Sequence, residues 1–229
     1  MASNLFQQPK KNVRVVENEQ PPELFRKTKV TDITLLVEGK ELHFVKYPLM
    51  EGSDAFTQMI ENSTDQSKIT IDDVTYTDMI VFLECLHPKK YQSITDANIE
   101  QIATIAHRFK HEGVLKRCED YILQEFQHFS TQSGKKFTYF FFCLRMAEKY
   151  GFQNALQVGV SSIVVKKSYF SPKHRPYQCT TIPGYENDEN FQKLSYETKF
   201  HILCTRLRIA EAGIDPDDPY LIHLNPSPF

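Results

Sequence analysis

Hydrophobic and polar residues alternate through "TDITLLVEGKELHFVKY": Ile33, Leu35 and Val37 take every second position, and Leu42 and Phe44 resume the pattern after Glu38-Gly39. A period of two belongs to half-buried strands, and a glycine-containing turn between two such runs predicts a β-hairpin. Pro48 is expected to end it. The period then changes. Phe56, Met59 and Ile60 form a stripe at helical spacing over 54–62, with Ser53 placed to cap the first turn. "KITI" (68–71) reads as a short strand with Ile69 and Ile71 on one face. A helix over 75–87 aligns Tyr76, Met79, Ile80, Leu83 and Leu86 before Pro88. Thr95 or Asp96 is expected to cap a helix carrying Ile99, Ile102, Ala103, Ala106 and Phe109. Gly113 is expected to break it, and a further helix carries Leu115, Cys118 and Ile122.

A joint is expected near 128–135, around Gly134. Beyond it, "CLRMAEKYGFQNALQVGVSSI" repeats earlier spacings: Ala147, Tyr150, Leu156, Gly159 and Ile163 match Ala106, Phe109, Leu115, Cys118 and Ile122. One echo is too few for a repeat protein and predicts two helix–turn–helix units of similar packing. In "FTYFFF", Phe137, Phe140 and Phe141 share one stripe while Tyr139 and Phe142 point elsewhere, as in a helix covered on several sides. Residues 168–192 carry Pro172, Pro176, Pro183 and Gly184 and read as a long loop, and a last helix follows Ser195, its expected cap. The polar stretch 1–28 reads as a flexible leader, and 213–229 as a proline-rich tail.

Composition narrows the function. The chain has 229 residues, 41% hydrophobic and 24% charged, with a formal charge of -2, a balance that disfavours nucleic acid as a principal partner. Lys166, Lys167, Lys173, His174 and Arg175 are interleaved with Tyr169, Phe170 and Tyr177, but the balanced charge favours a solvated loop. No apolar run approaches the roughly 18 residues of a membrane helix, and the first residues lack the apolar core of a secretion signal. A cytoplasmic or nuclear location is expected, with the five scattered cysteines reduced and the Asn62-Ser63-Thr64 acceptor unused.

Candidate chemistry is sparse. His107 and His111 lie four apart on one predicted helix, the spacing at which two imidazoles can share zinc. No glutamate stands between them as in H-E-x-x-H, so they are read as a solvated face and no metal is expected. Arg117 beside Cys118 would depress a thiol pKa, yet Cys118 falls on the apolar stripe and is read as core. There is no G-x-S-x-G, and eight glycines in all leave little for a phosphate cradle. Neither a catalytic residue nor a cofactor is expected.

Read together, "TDITLLVEGKELHFVKYPLMEGSDAFTQMIE", "KITIDDVTYTDMIVFLECLHP" and "NIEQIATIAHRFKHEGVLKRCEDYIL" resemble a BTB/POZ domain over 29–127. The resemblance is carried by Asp32 before the first strand and by the L-x3-S-x2-F-x2-M run of Leu49, Ser53, Phe56 and Met59. Ala106, Phe109, Leu115, Cys118 and Glu119 continue it. The region 135–212 resembles the helical BACK extension that often follows. Three departures stand out. Val45-Lys46 replaces a His-Lys pair, "CLHPKKYQSI" replaces Y-x-G and a strand, and Ile99-Glu100-Gln101 is the best match to a hydrophobic-x-Glu motif.

The resemblance implies an α+β domain, a small sheet wrapped by helices, followed by a mostly helical C-terminal region. It implies a non-enzymatic adaptor that forms a homodimer and recruits a target protein to a cullin-3 ubiquitin ligase. The alternative is an oligomerisation scaffold in a transcriptional or cytoskeletal complex without cullin binding. On this basis Asp32, Lys46, Leu49, Ser53 and Phe56 are expected at the dimer contact, and Met59, Tyr91, Ile99 and Gln101 facing the cullin. Asp32 and Lys46 are read either as a surface pair or as a pair meeting across the dimer groove.

Overall fold

A computed structural model describes residues 21–131, 137–165 and 188–211. The hairpin forms as the alternation predicts: β1 (Ile33–Val37) pairs antiparallel with β2 (Lys40–Phe44), Leu35 opposite Leu42. Glu38 (φ 50°) and Gly39 (φ 77°) turn the chain in the left-handed region that a two-residue hairpin requires. After α1 (Lys46–Met50) and α2 (Asp54–Glu61), β3 (Lys68–Ile71) returns parallel to β1, giving the sheet order β2-β1-β3. Ile33, Leu35, Val37, Leu42, Phe44, Ile69 and Ile71 are all buried, so one face of the sheet is core.

Helices cover that face. α3 (Tyr76–Leu86) is capped by Thr75, whose hydroxyl accepts from the Asp78 amide (3.1 Å). It buries Phe82 and Cys85 along with Met79 and Leu83, while Tyr76, Ile80 and Leu86 are only partly covered, so its inner face is rotated from the expected stripe. α4 (Ile99–Arg108) and α5 (Glu112–Thr131) follow, then α6 (Phe137–Tyr150), α7 (Gln153–Val165), α8 (Glu189–Lys193) and α9 (Tyr196–Glu211). The fold is α+β, a three-stranded sheet under helices continued by a helical C-terminal region.

Several boundaries differ from the sequence expectation. Pro48 does not end the hairpin; it lies in the first turn of α1, where its missing N–H costs no intrahelical bond. The residue before α4 is Asn98, not Thr95 or Asp96, and its side chain turns back to accept from the Thr95 amide (2.8 Å). The break before α5 falls at Lys110 (φ 50°) and His111, so Gly113 sits inside the first turn of α5. Along α5 it is Val114, rather than Leu115, that is buried with Cys118 and Ile122, and the helix runs past 128 to Thr131. Phe25, from the expected leader, is buried against Phe44 (ring centroids 6.2 Å). α8, capped by Asp188, occupies the end of the expected 168–192 loop. Residues 1–20, the basic and aromatic cluster at 166–177, Cys179 and the tail beyond 213 lie outside the described residues.

The echoed spacing is a structural repeat. His111 N–H donates to Ala106 O (2.8 Å) and Phe152 N–H to Ala147 O (2.8 Å), each closing a helix over a left-handed residue, Lys110 in one unit and Gly151 (φ 71°) in the other. In both units the next helix begins with a bond back to the turn, Leu115 N–H to His111 O (3.0 Å) and Leu156 N–H to Phe152 O (2.9 Å). Phe140 meets Phe126 of α5 (4.9 Å) and Phe141 meets Phe191 of α8 (5.1 Å), so the aromatic helix α6 is covered on two sides.

Candidate interaction groove

The α1–α2 turn, the end of α3 with the loop after it, and the α4–α5 turn converge on one open groove of about 880 Å³. Its apolar lining includes Val45, Pro48, Leu86, Pro88 and Val114. Tyr47 and Tyr91 also line it, with 65% and 62% of their surface exposed. Glu51, Asp54, Lys110, Glu112 and Arg117 add charges of both signs.

Each wall is held by bonds between residues far apart in sequence. The Ser53 hydroxyl accepts from the Phe56 amide (3.1 Å), capping α2, and donates to Phe109 O at the end of α4. Glu112 N–H donates to Gly52 O (2.8 Å). His111 is buried beneath this junction: Nε2 lies 3.0 Å from Pro48 O, and the Val114 amide reaches Nδ1 (3.4 Å). A carbonyl can only accept, so Nε2 carries a proton, while Nδ1 accepts from the Val114 amide and carries none; the ring is therefore neutral. Burial depresses its pKa, against a smaller upward pull from the Pro48 hydrogen bond. Gly52 is obligatory beside it, since a Cβ there would come within 2.3 Å of the ring. Arg117, from α5, donates to Cys85 O (2.9 Å) and Gln92 O (3.0 Å) and lies 4.1 Å over the Tyr91 ring. Tyr91 itself stands at φ 37°, in the left-handed region.

The expected contact residues divide sharply. Leu49, Ser53 and Phe56 are buried within the chain, Phe56 stacked on Phe109 (4.3 Å) and near Phe82 (6.3 Å). Ile99 is likewise fully buried. Leu49, Phe56 and Ile99 are fully enclosed and their apolar character is explained by the core, whereas Ser53, nearly as buried, still lines the groove. Asp32 is exposed and meets Lys46 through the backbone, accepting from its amide (2.7 Å) at the start of α1. Met59 is half-buried in a separate shallow depression with Ser63, Asp65 and Ile69, and Gln101 is exposed on α4. Of the expected cullin-facing residues only Tyr91 lines the main groove. Glu100, between Ile99 and Gln101, is bonded to Arg145 of α6 (3.0 Å).

Other candidates resolve into structure. His107 packs on Tyr150 (5.4 Å) while His111 lies beyond the end of α4, so the two imidazoles share no helical face. The Cys118 thiol is pushed up to about 12 by burial, with Cys85 adding to the shift and Arg117 opposing it, which leaves it unreactive at neutral pH. Sequence reasoning missed Tyr47, Gly52, His111 as a groove support, and Arg117. No local sequence signal marked them, because their roles come from contacts between segments distant in the chain.

Residues 22–126 match the family model of the BTB/POZ domain. BTB and MATH domain-containing protein 36 of Caenorhabditis elegans is 29% identical over 113 residues, covering 48% of this chain and 34% of that protein. The chain thus spans about a third of the length of that curated relative. The BTB domain of human Gigaxonin is similar at 15% identity and a TM-score of 0.35, covering 40% of this chain and 77% of that one. Residues 22–126 are a BTB/POZ domain, a module of protein–protein interaction. Among the described residues no helix is long and apolar enough to cross a membrane.

Proposed function

We propose that the chain is a non-enzymatic adaptor of the cytoplasm or nucleus that self-associates through its BTB/POZ domain and brings a target protein to a cullin-3 ubiquitin ligase. The observation that carries this reading is the groove in which Tyr47 and Tyr91 stand exposed on a rigid frame. Aromatic rings already fixed by their neighbours lose little freedom on binding, the property of residues that dominate protein interfaces. The helices after the BTB/POZ domain, which we read as BACK-like, lengthen the surface available beside it. Asp32 and Lys46 are retained as candidates at the self-association contact, because they keep surface that Leu49 and Phe56 lack.

Titration calorimetry against the purified cullin-3 N-terminal region tests the ligase reading. Binding at micromolar concentration is expected, with Tyr91→Ala and Tyr47→Ala each weakening it about tenfold, or about 1.4 kcal/mol. No binding at these concentrations removes the cullin partner and leaves the scaffold alternative. Light scattering tests self-association separately, and a strictly monomeric chain would contradict it.

A further inference from the structure

The last helix presents a second apolar face that the groove does not use. Tyr196, Phe200, Leu203 and Leu207 of α9 are exposed by 82%, 54%, 58% and 57%, and the Tyr196 and Phe200 rings stack (6.2 Å, 14°). Their spacing alternates four, three and four residues, which places them in one line along the helix, as in the seam of a coiled coil. The opposite side of α9 is already occupied: Thr198 and Ile202 are buried, and the helix packs on α7. Its start is anchored to Glu148 of α6, whose carboxylate accepts from the Ser195 amide (2.9 Å) and from the Ser195 and Thr198 hydroxyls. The outer line is therefore held facing away from the body of the chain.

Apolar residues left bare to this degree offer on the order of 500 Å² per copy, and two copies would bury about 1,000 Å², the lower bound for a specific contact. The flanks decide the partner. Glu197 falls on one side of the seam and Lys199 on the other. In a parallel pair the basic flank of one helix meets the acidic flank of the other; an antiparallel pair would set like charges together. We propose that the outer face of α9 is a self-association surface that takes α9 of a second copy of this chain, in parallel. This contact shares no residue with the groove and stands independently of its assignment to a cullin.

Crosslinking of the full chain tests it. In a Cys204→Ser background, Leu203→Cys on the seam is oxidised mildly at tens of micromolar protein and compared with Glu61→Cys off the seam. A disulfide-linked dimer is expected for Leu203→Cys, falling at least tenfold when Phe200→Glu and Leu207→Glu are added, with circular dichroism showing the fold retained. Covalent dimer no more abundant than in the off-seam control overturns the proposal, as does a yield indifferent to the two glutamates. Either result would mean that something other than a parallel second copy covers this face. Calorimetry on the Phe200→Glu/Leu207→Glu chain separates the two readings, because cullin binding should persist when the crosslink is lost.

Discussion

His111 offers a direct test of how the groove is built. Its ring is neutral because Nε2–H is committed to Pro48 O while Nδ1 faces a donor, the Val114 amide. Adding a proton at Nδ1 would set two N–H groups against each other in a buried site. The pKa in the folded chain accordingly lies below the ordinary value, with burial as the main cause. The sign follows from proton linkage. The unfolded chain takes up the proton first, so the stability from a neutral His111 is complete above the unfolded pKa of about 6.5 and declines as pH falls below it. The loss is limited to about 1.4 kcal/mol per pH unit, the slope for one proton.

His87 is depressed in the same direction by burial beside Phe25 and Phe44, with Lys89 adding to the shift, so a pH profile of the unaltered chain mixes both groups. A difference measurement separates them. His111→Gln keeps an N–H able to reach Pro48 O but cannot titrate. Urea unfolding followed by circular dichroism at about pH 7.5 should show the variant less stable by about 1–2 kcal/mol, from lost packing and an imperfect hydrogen bond. At about pH 5.5 that gap should be smaller, by no more than about 1.4 kcal/mol, since only the unaltered chain loses stability through this site. A gap that is unchanged or wider in acid would refute the assigned tautomer and the burial argument with it.

Three further outcomes are expected. Phe56→Ala should cost about 3–5 kcal/mol in unfolding free energy by denaturant titration, as a core residue does; a stable monomer with only weakened association would instead place it at an interface. Gly159→Ala should destabilise the chain by about 1–3 kcal/mol, since a Cβ there meets Leu144 and Phe126 at 2.7 and 2.8 Å, and a neutral thermal shift would contradict that packing. At the repeated turn, Lys110→Gly should stabilise by about 0.5–1 kcal/mol and Gly151→Ala should destabilise by about 1 kcal/mol, both read from urea midpoints, because both positions hold positive φ.

The elements legible in the sequence are those whose cause is local. Ser53 caps α2 with its own hydroxyl, Glu38-Gly39 turns the hairpin, and the stripes of α2 and α4 follow from side chains three and four apart. The echo between the two helical turns was also legible, because the same closing bond recurs at the same offsets from Ala106 and Ala147. What periodicity cannot reveal is the object that covers a stripe. Phe56 is sealed by Phe82 and Phe109, and Leu49 by its place in the same core, contacts made only when distant segments meet. A stripe shared with a partner and a stripe buried in the chain look alike before that. The groove was hidden for the same reason: its supports, Arg117 to Cys85 and Gln92 and His111 to Pro48, join residues that carry no common motif.

Those supports also separate positioning from contact within the groove. Tyr91 has most of its ring in solvent, while Arg117 lies behind it with its guanidinium divided between two backbone carbonyls and the ring face. Removing the tyrosine takes away surface that a partner can cover and leaves the frame intact. Removing the arginine leaves Cys85 O and Gln92 O without their donor and leaves the loop that carries Tyr91 held by its own bonds to His87 O and Glu84 O, so the frame itself is altered. The same division holds across the groove, where Tyr47 is exposed and His111 is buried beneath Gly52 and Pro48. Folding has therefore already ordered the backbone behind both rings, and a partner docking between them meets a surface whose conformational entropy is largely spent. That arrangement suits recognition through a few fixed aromatic anchors better than adaptation to many shapes.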